Sequence, residues 1–175
     1  MARSRASATA RNRLVHIACI DKTRLGIGVP LGKLTAALQK CYDKHFLPVW
    51  GFPVKLYVTR RAKPTDWQFV YFDDAKEATT LGFHDITRHG QPITKVFVQT
   101  SLKDGDPVSV TASHELFEMA MDPVANLWAQ AKNGMEYAYE VCDPVEEDRF
   151  ECGGFPMCSF VYPASFEDQK LNRTN

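Results

Sequence analysis

Apolar positions along the 175-residue chain fall into segments of two periods. Residues 13–21, RLVHIACID, are β-rich, and in residues 53–60, PVKLYVTR, Val54, Leu56 and Val58 alternate with Lys55 and Tyr57. That period of two marks a strand with one buried face. Residues 66–74, DWQFVYFDD, have a continuous apolar middle that predicts a central strand, and residues 93–100, ITKVFVQT, predict a fourth. Between the first two strands the period lengthens. Leu34, Leu38, Cys41, Tyr42 and then His45 or Phe46 recur at three and four, which predicts a helix over 31–46 that Pro48 ends, with His45 at the polar edge of its stripe.

A second helix is expected in DGDPVSVTASHELFEMAM, capped by Asp106 or Ser109, with Pro107 early and Val110, His114, Phe117, Glu118 and Met121 along one side. Asp122-Pro123 ends it. The loop LGFHDITRHGQP before the fourth strand holds His84, Asp85 and His89. Beyond Val124 the chain is rich in turns, with a short helical stretch at ANLWAQA and extended pieces at EYAYEVCD and SFVYPASF. The order strand, helix, three strands, helix, irregular tail implies an α/β (α+β) fold. A right-handed parallel crossover joins the first two strands of a twisted mixed sheet of about four strands, with an antiparallel pair at one edge and two main helices.

Composition sharpens this picture at a few points. With 45% apolar residues the chain supports one domain, expected over 13–175 behind a basic tail at 1–12. The tail has several arginines and no acid, and lacks the apolar block of a secretory signal. It reads as a flexible segment, with a transit-type peptide or a phosphate-touching arm as alternatives. Apolar runs such as FLPVWGFPV are broken by Pro and Gly and fall short of the ~18 residues of a membrane span, so no membrane partner is expected.

The 21 basic and 21 acidic side chains cancel, leaving no global field toward nucleic acid. Nucleic acid is expected as a partner only through the tail, since the basic TRRAKP lacks interleaved aromatics. Cys19, Cys41, Cys142, Cys152 and Cys158 form no C-x-x-C pair, and an odd count fits unpaired thiols in a reducing, cytoplasmic setting. The spacing in CDPVEEDRFECGGFPMC is not that of a zinc knuckle, so these thiols read as structural or incidental.

The candidate chemistry lies in VTASHELFEMAMDP. It opens as a zinc-protease helix does, but Glu118 stands where the H-E-x-x-H pattern has its second histidine. Residues four apart on a helix lie one above the other, so His114 and Glu118 can chelate one ion, for which zinc is the expected cofactor. Glu115, one step round, is placed to take a proton from water as a general base. Asp122 lies about 12 Å along the axis from His114 at 1.5 Å per residue, too far to share its ion. The third ligand is therefore expected from Glu140 or Asp143 in YEVCDPVE, the other accepting from the imidazole. His84 either donates to a tetrahedral oxyanion, with Asp85 orienting its ring, or fastens its loop, the more common role. An unpaired Glu118 beside Phe117 and Met119 calls for a cation or a hydrogen-bond partner.

SVTASHELFEMAMDP followed by YAYEVCDPVE resembles a largely uncharacterised family of bacterial and phage proteins with a zincin-like, metallopeptidase-type pattern, H-E-x-x-E-x-x-x-D-P and then E-x-x-D. The likeness extends through LQKCYDKHFLPVWG, LGFHDIT, KVFVQTS and FVYPASF. It implies a zincin-like domain with His114 and Glu118 as ligands, Glu115 as base, and Asp122, Glu140 and Asp143 as the acidic remainder of the site. It also implies that an edge strand, KVFVQT, lays out an extended peptide or protein substrate. Carboxylate for imidazole at 118 lowers the net charge of the metal site and weakens its Lewis acidity. The phage association supplies the alternative: a metal-stabilised structural or interaction protein among other virion proteins, without turnover.

Overall fold

The computed structural model describes residues 14–75, 80–130 and 133–166. The basic tail and Arg13 lie outside them. Five strands, β1 (Val15–Asp21), β2 (Val54–Val58), β3 (Trp67–Phe72), β4 (Gly82–Ile86) and β5 (Pro92–Phe97), form one sheet in the order β2-β1-β3-β5-β4. All neighbours are parallel except β4, which runs antiparallel to β5 at the edge. This is the mixed α/β fold expected, with one strand more.

The added strand is β4, read above as a loop. Its inward positions are Gly82 and His84, both buried, and Ile86, next on that face, is exposed, so no aliphatic residue is buried there and the period of two is hidden. The same strand corrects a second expectation. KVFVQT is no edge strand: β5 is bonded to β3 on one side and β4 on the other, and from Val98 the chain turns into a short helix. The sheet edge beside the second long helix is β4.

Helix α1 (Leu31–Cys41) does not stop before Pro48. It widens into a π turn over Tyr42–Phe46 and continues as α2 (Leu47–Trp50) to Gly51, whose φ of +70° closes it. Proline has no N–H for the carbonyl four residues back and its ring crowds that carbonyl, and the π turn directly upstream gives it room. Leu34, Leu38, Cys41, Tyr42 and Phe46 are buried as the stripe predicts, while His45 is half-buried against the Phe150 ring.

After β5 come α3 (Val98–Asp104) and α4 (Val108–Met121). Helix α4 is buried on nearly every side rather than along one stripe; His114 and Met121 alone are half-exposed. It lies against β4 and β5, α1 and the C-terminal region, and its hydroxyls meet that burial with acceptors of their own. Ser109 donates to the Pro156 carbonyl (2.7 Å), Ser113 to that of Val110 (3.0 Å) and Thr111 to Ser101 Oγ (3.1 Å). Neither expected cap acts as one: Asp106 pairs with Arg149, Ser109 points to Pro156, and Pro107 occupies the cap position. Phe117 stacks on Phe46 with centroids 4.5 Å apart, fixing α4 on the long helix.

The C-terminal third contains two small hairpins. Trp128–Gln130 (β6), expected as helix, pairs with Glu136–Ala138 (β7), and Arg149–Cys152 (β8) pairs with Phe155–Cys158 (β9). SFVYPASF, expected as extended, instead ends in a 3₁₀ turn at Pro163–Ser165. The turn of the second hairpin is Gly153-Gly154, both at positive φ, as the two-residue turn matching strand twist requires. A Cβ on Gly153 would sit 2.8 Å from Ala37 Cβ and 3.0 Å from Ala37 Cα on α1. Left-handed backbone costs an L-residue roughly 1–2 kcal/mol and overpacking roughly 1–3 more. Gly153→Ala is therefore expected to lower unfolding free energy by about 2–5 kcal/mol in urea titration, whereas Gly154→Ala, with no atom in reach of its Cβ, loses only the backbone part.

Candidate metal centre

His114 is the half-exposed break in an otherwise buried stretch of α4, and its side chain opens onto a polar cleft of roughly 680 Å³. α4 forms the floor of the cleft, β4 and the residues before it one wall, and the segment from Glu140 to Arg149 the other. That segment reaches the helix because the Cys142 N–H donates to Glu118 Oε1 (3.2 Å) and the Cys158 N–H to Ser113 Oγ (2.8 Å).

At the mouth, His114 Nε2 lies 3.1 Å from Glu118 Oε2 and 3.2 Å from Asp143 Oδ1. Glu118 is buried and Asp143 is 60% exposed, so the three atoms face solvent on one side. Ligands about 2.0–2.1 Å from a tetrahedral zinc are about 3.3–3.4 Å apart, so the separations match two edges of such a site. Burial alone would lower the His114 pKa, but Asp143, Cys158 and Glu118 together carry it well above the ordinary range. The same His114 contact holds the Asp143 carboxyl below its usual value.

The other imidazole nitrogen faces sulfur. His114 Nδ1 is 3.7 Å from Cys158 Sγ, and Cys142 joins them within a 4.8 Å group. Cys142's thiol, and after it His114, hold Cys158 down at about 6, while burial pushes Cys142 far up. All five cysteines are buried and free. Sequence reasoning set these thiols aside, and nothing local in the chain signals that Cys158, 44 residues from His114, would stand behind its ring.

Deeper in the cleft His84 stands between two acids: Nδ1 is 3.7 Å from Glu115 Oε2 and Nε2 is 3.9 Å from Glu140 Oε2. Asp85 does not orient it. Successive strand residues point to opposite faces, and Asp85 is exposed with its Oδ1 accepting the Ile86 N–H. Burial raises the Glu115 carboxyl, which is 6% exposed, and burial followed by the Glu118 charge brings Glu140 to about 7. Glu115 lies directly under β4: a Cβ on Gly82 would be 2.8 Å from its Cγ and Oε1, so only glycine admits this carboxylate.

The acids expected around one ion are thus divided. Asp143 joins His114 and Glu118, and Glu140 joins His84 and Asp122, while Glu118 also falls within 4.8 Å of His84 and Glu115, between the two sets. His89 lies apart, exposed, accepting from the Arg88 Nε–H at 3.0 Å. Comparison of the chain with protein-family models, curated proteins and solved structures returns no match. The functional reading therefore stands on these side chains alone.

Proposed function

We propose that the protein is a metal-dependent hydrolase of the peptidase type, holding one zinc ion through His114, Glu118 and Asp143. The observation that carries this reading is the convergence of one imidazole nitrogen and two carboxylate oxygens, at 3.1 and 3.2 Å, on the open mouth of a cleft floored by Glu115. Two carboxylates and a neutral imidazole balance a divalent ion. When bound, the ion supplies Lewis acidity toward a carbonyl and lowers the pKa of water.

The chain's own residues supply the rest. Glu115 Oε2 is buried without a hydrogen-bond partner among the described residues, which leaves it free to take a proton from an attacking water. His84 Nδ1 lies 3.7 Å from that carboxylate, where a charged imidazole favours its ionised form. Among the described residues β4 is paired on one side only, so its outer edge offers backbone groups to an extended peptide, the role the resemblance assigned to KVFVQT. No helix among the described residues is long and apolar enough to cross a membrane.

The test is hydrolysis of a denatured protein by the zinc-loaded chain, with Glu115→Gln as control. Gly82→Ala supplies a second. It is expected to fold, at a cost of roughly 1–3 kcal/mol for the crowding, and to lose on the order of 100-fold in kcat because Glu115 is displaced. Full activity in Gly82→Ala would remove Glu115 from its assigned position.

One observation favours a second reading, a metal-stabilised structural protein. Asp143 belongs to the C-terminal segment and His114 to α4, so an ion between them ties the two together irrespective of turnover. The two readings separate on activity, since both require the ion.

A further inference from the structure

Four buried atoms around this cleft have no hydrogen-bond partner among the described residues: His84 Nε2, Glu115 Oε2, Asp122 Oδ1 and Glu140 Oε2. Three of them belong to His84, Asp122 and Glu140, whose ligand atoms lie within 4.8 Å of one another. Asp122 is 1% exposed and His84 8%. A buried polar atom left unpaired costs roughly 1–3 kcal/mol, and three left unpaired toward one point call for a common occupant.

The geometry points to a second divalent-cation position, formed by His84, Asp122 and Glu140, so that the cleft takes two ions. The proposal rests on the reading of the cleft as a metal centre but uses none of the first ion's ligands. His84 Nε2 and Glu140 Oε2, 3.9 Å apart, are beyond hydrogen-bonding reach. Ligands about 2.1 Å from one ion stand about 3.4 Å apart in a tetrahedron and about 4.2 Å apart when opposed in an octahedron, and the pair lies between the two. Asp122 is already oriented, since its Oδ2 accepts the Leu127 N–H at 2.7 Å and leaves the buried Oδ1 without a partner among the described residues.

Charge argues the same way. Five carboxyl groups, those of Glu115, Glu118, Asp122, Glu140 and Asp143, stand here against two imidazoles, an acid-rich lining that favours cations. The basic side chain on the cleft wall, Arg149, is engaged by Asp106. One imidazole with two carboxylates suits zinc, manganese or ferrous ion, and cobalt reports on it by colour.

The experiment titrates chelator-stripped protein with Zn²⁺ by calorimetry and with Co²⁺ by visible absorption. Wild type is expected to take two ions per chain, and His84→Gln, Glu140→Gln and His114→Ala one each. The His114→Ala, Glu140→Gln double variant is expected to take none. Glu140 is only half-buried, so its variant stays informative even where a change at His84 perturbs the fold. One ion or none in wild type overturns the proposal, as do two ions that survive in both Glu140→Gln and His84→Gln. Two ions surviving in His114→Ala while Glu140→Gln loses one would remove the first-ion reading and leave this one standing.

Discussion

Glu115→Gln is expected to abolish hydrolysis while the protein keeps its first ion. Glutamine has the size of glutamate but cannot take a proton, and general-base catalysis is worth typically 10²- to 10⁴-fold. The loss should fall on kcat with KM little changed, because Glu115 is not among the ligands proposed at the cleft mouth, His114, Glu118 and Asp143. Stability should not fall. Glu115 is 6% exposed and one of its oxygens is unpaired, so an amide that removes the charge relieves a buried carboxylate. The measurement is a pair: steady-state kinetics on a denatured protein, and metal content by elemental analysis on the same samples. Undiminished turnover would eliminate the proton-transfer role, and turnover lost together with the ion would show that Glu115 acts as a ligand instead.

What the chain's pattern revealed and what it hid divide along a physical line. β1, β2, β3, β5 and the start of α1 carry aliphatic residues on their inward faces, and their periods were legible. β4 was not, because its inward positions hold Gly82 and His84, one kept bare by the Glu115 side chain and the other aimed into the cleft. A strand that serves a site breaks the apolar alternation by which strands are recognised. The β8–β9 hairpin does have a signal, two apolar runs around Gly153-Gly154, inside a stretch otherwise rich in turns.

The site was half legible. Spacing along one helix joined His114 to Glu118, since a helical turn is a local fact. It could not divide Asp143 from Glu140, because that depends on how the chain returns after α4. Nor could it anticipate that Asp122, out of reach of His114, would meet a histidine from the sheet edge.

Adding zinc is expected to stabilise the fold, and the shift should depend on His114. A ligand that binds only the folded chain, present at a hundred times its Kd, stabilises by about 2.7 kcal/mol. At this chain length each kcal/mol moves Tm by roughly 2–4 °C, so a rise of ~5–10 °C is expected, reversed by chelator. The mechanism is specific. Glu118 and His114 come from α4 and Asp143 from the segment after Val141, so the ion fastens the C-terminal third to the central helix. His114 must also give up a proton to bind, since Asp143, Cys158 and Glu118 favour its charged form against burial, so apparent affinity should rise with pH and metal addition should release acid. Asp143→Asn should keep the fold, because Asp143 is mostly exposed, and lose much of the shift. His114→Ala should lose the first ion's share of it. An unchanged zinc shift in both variants would place the stabilising ion elsewhere and leave His114 and Asp143 as an ordinary ion pair.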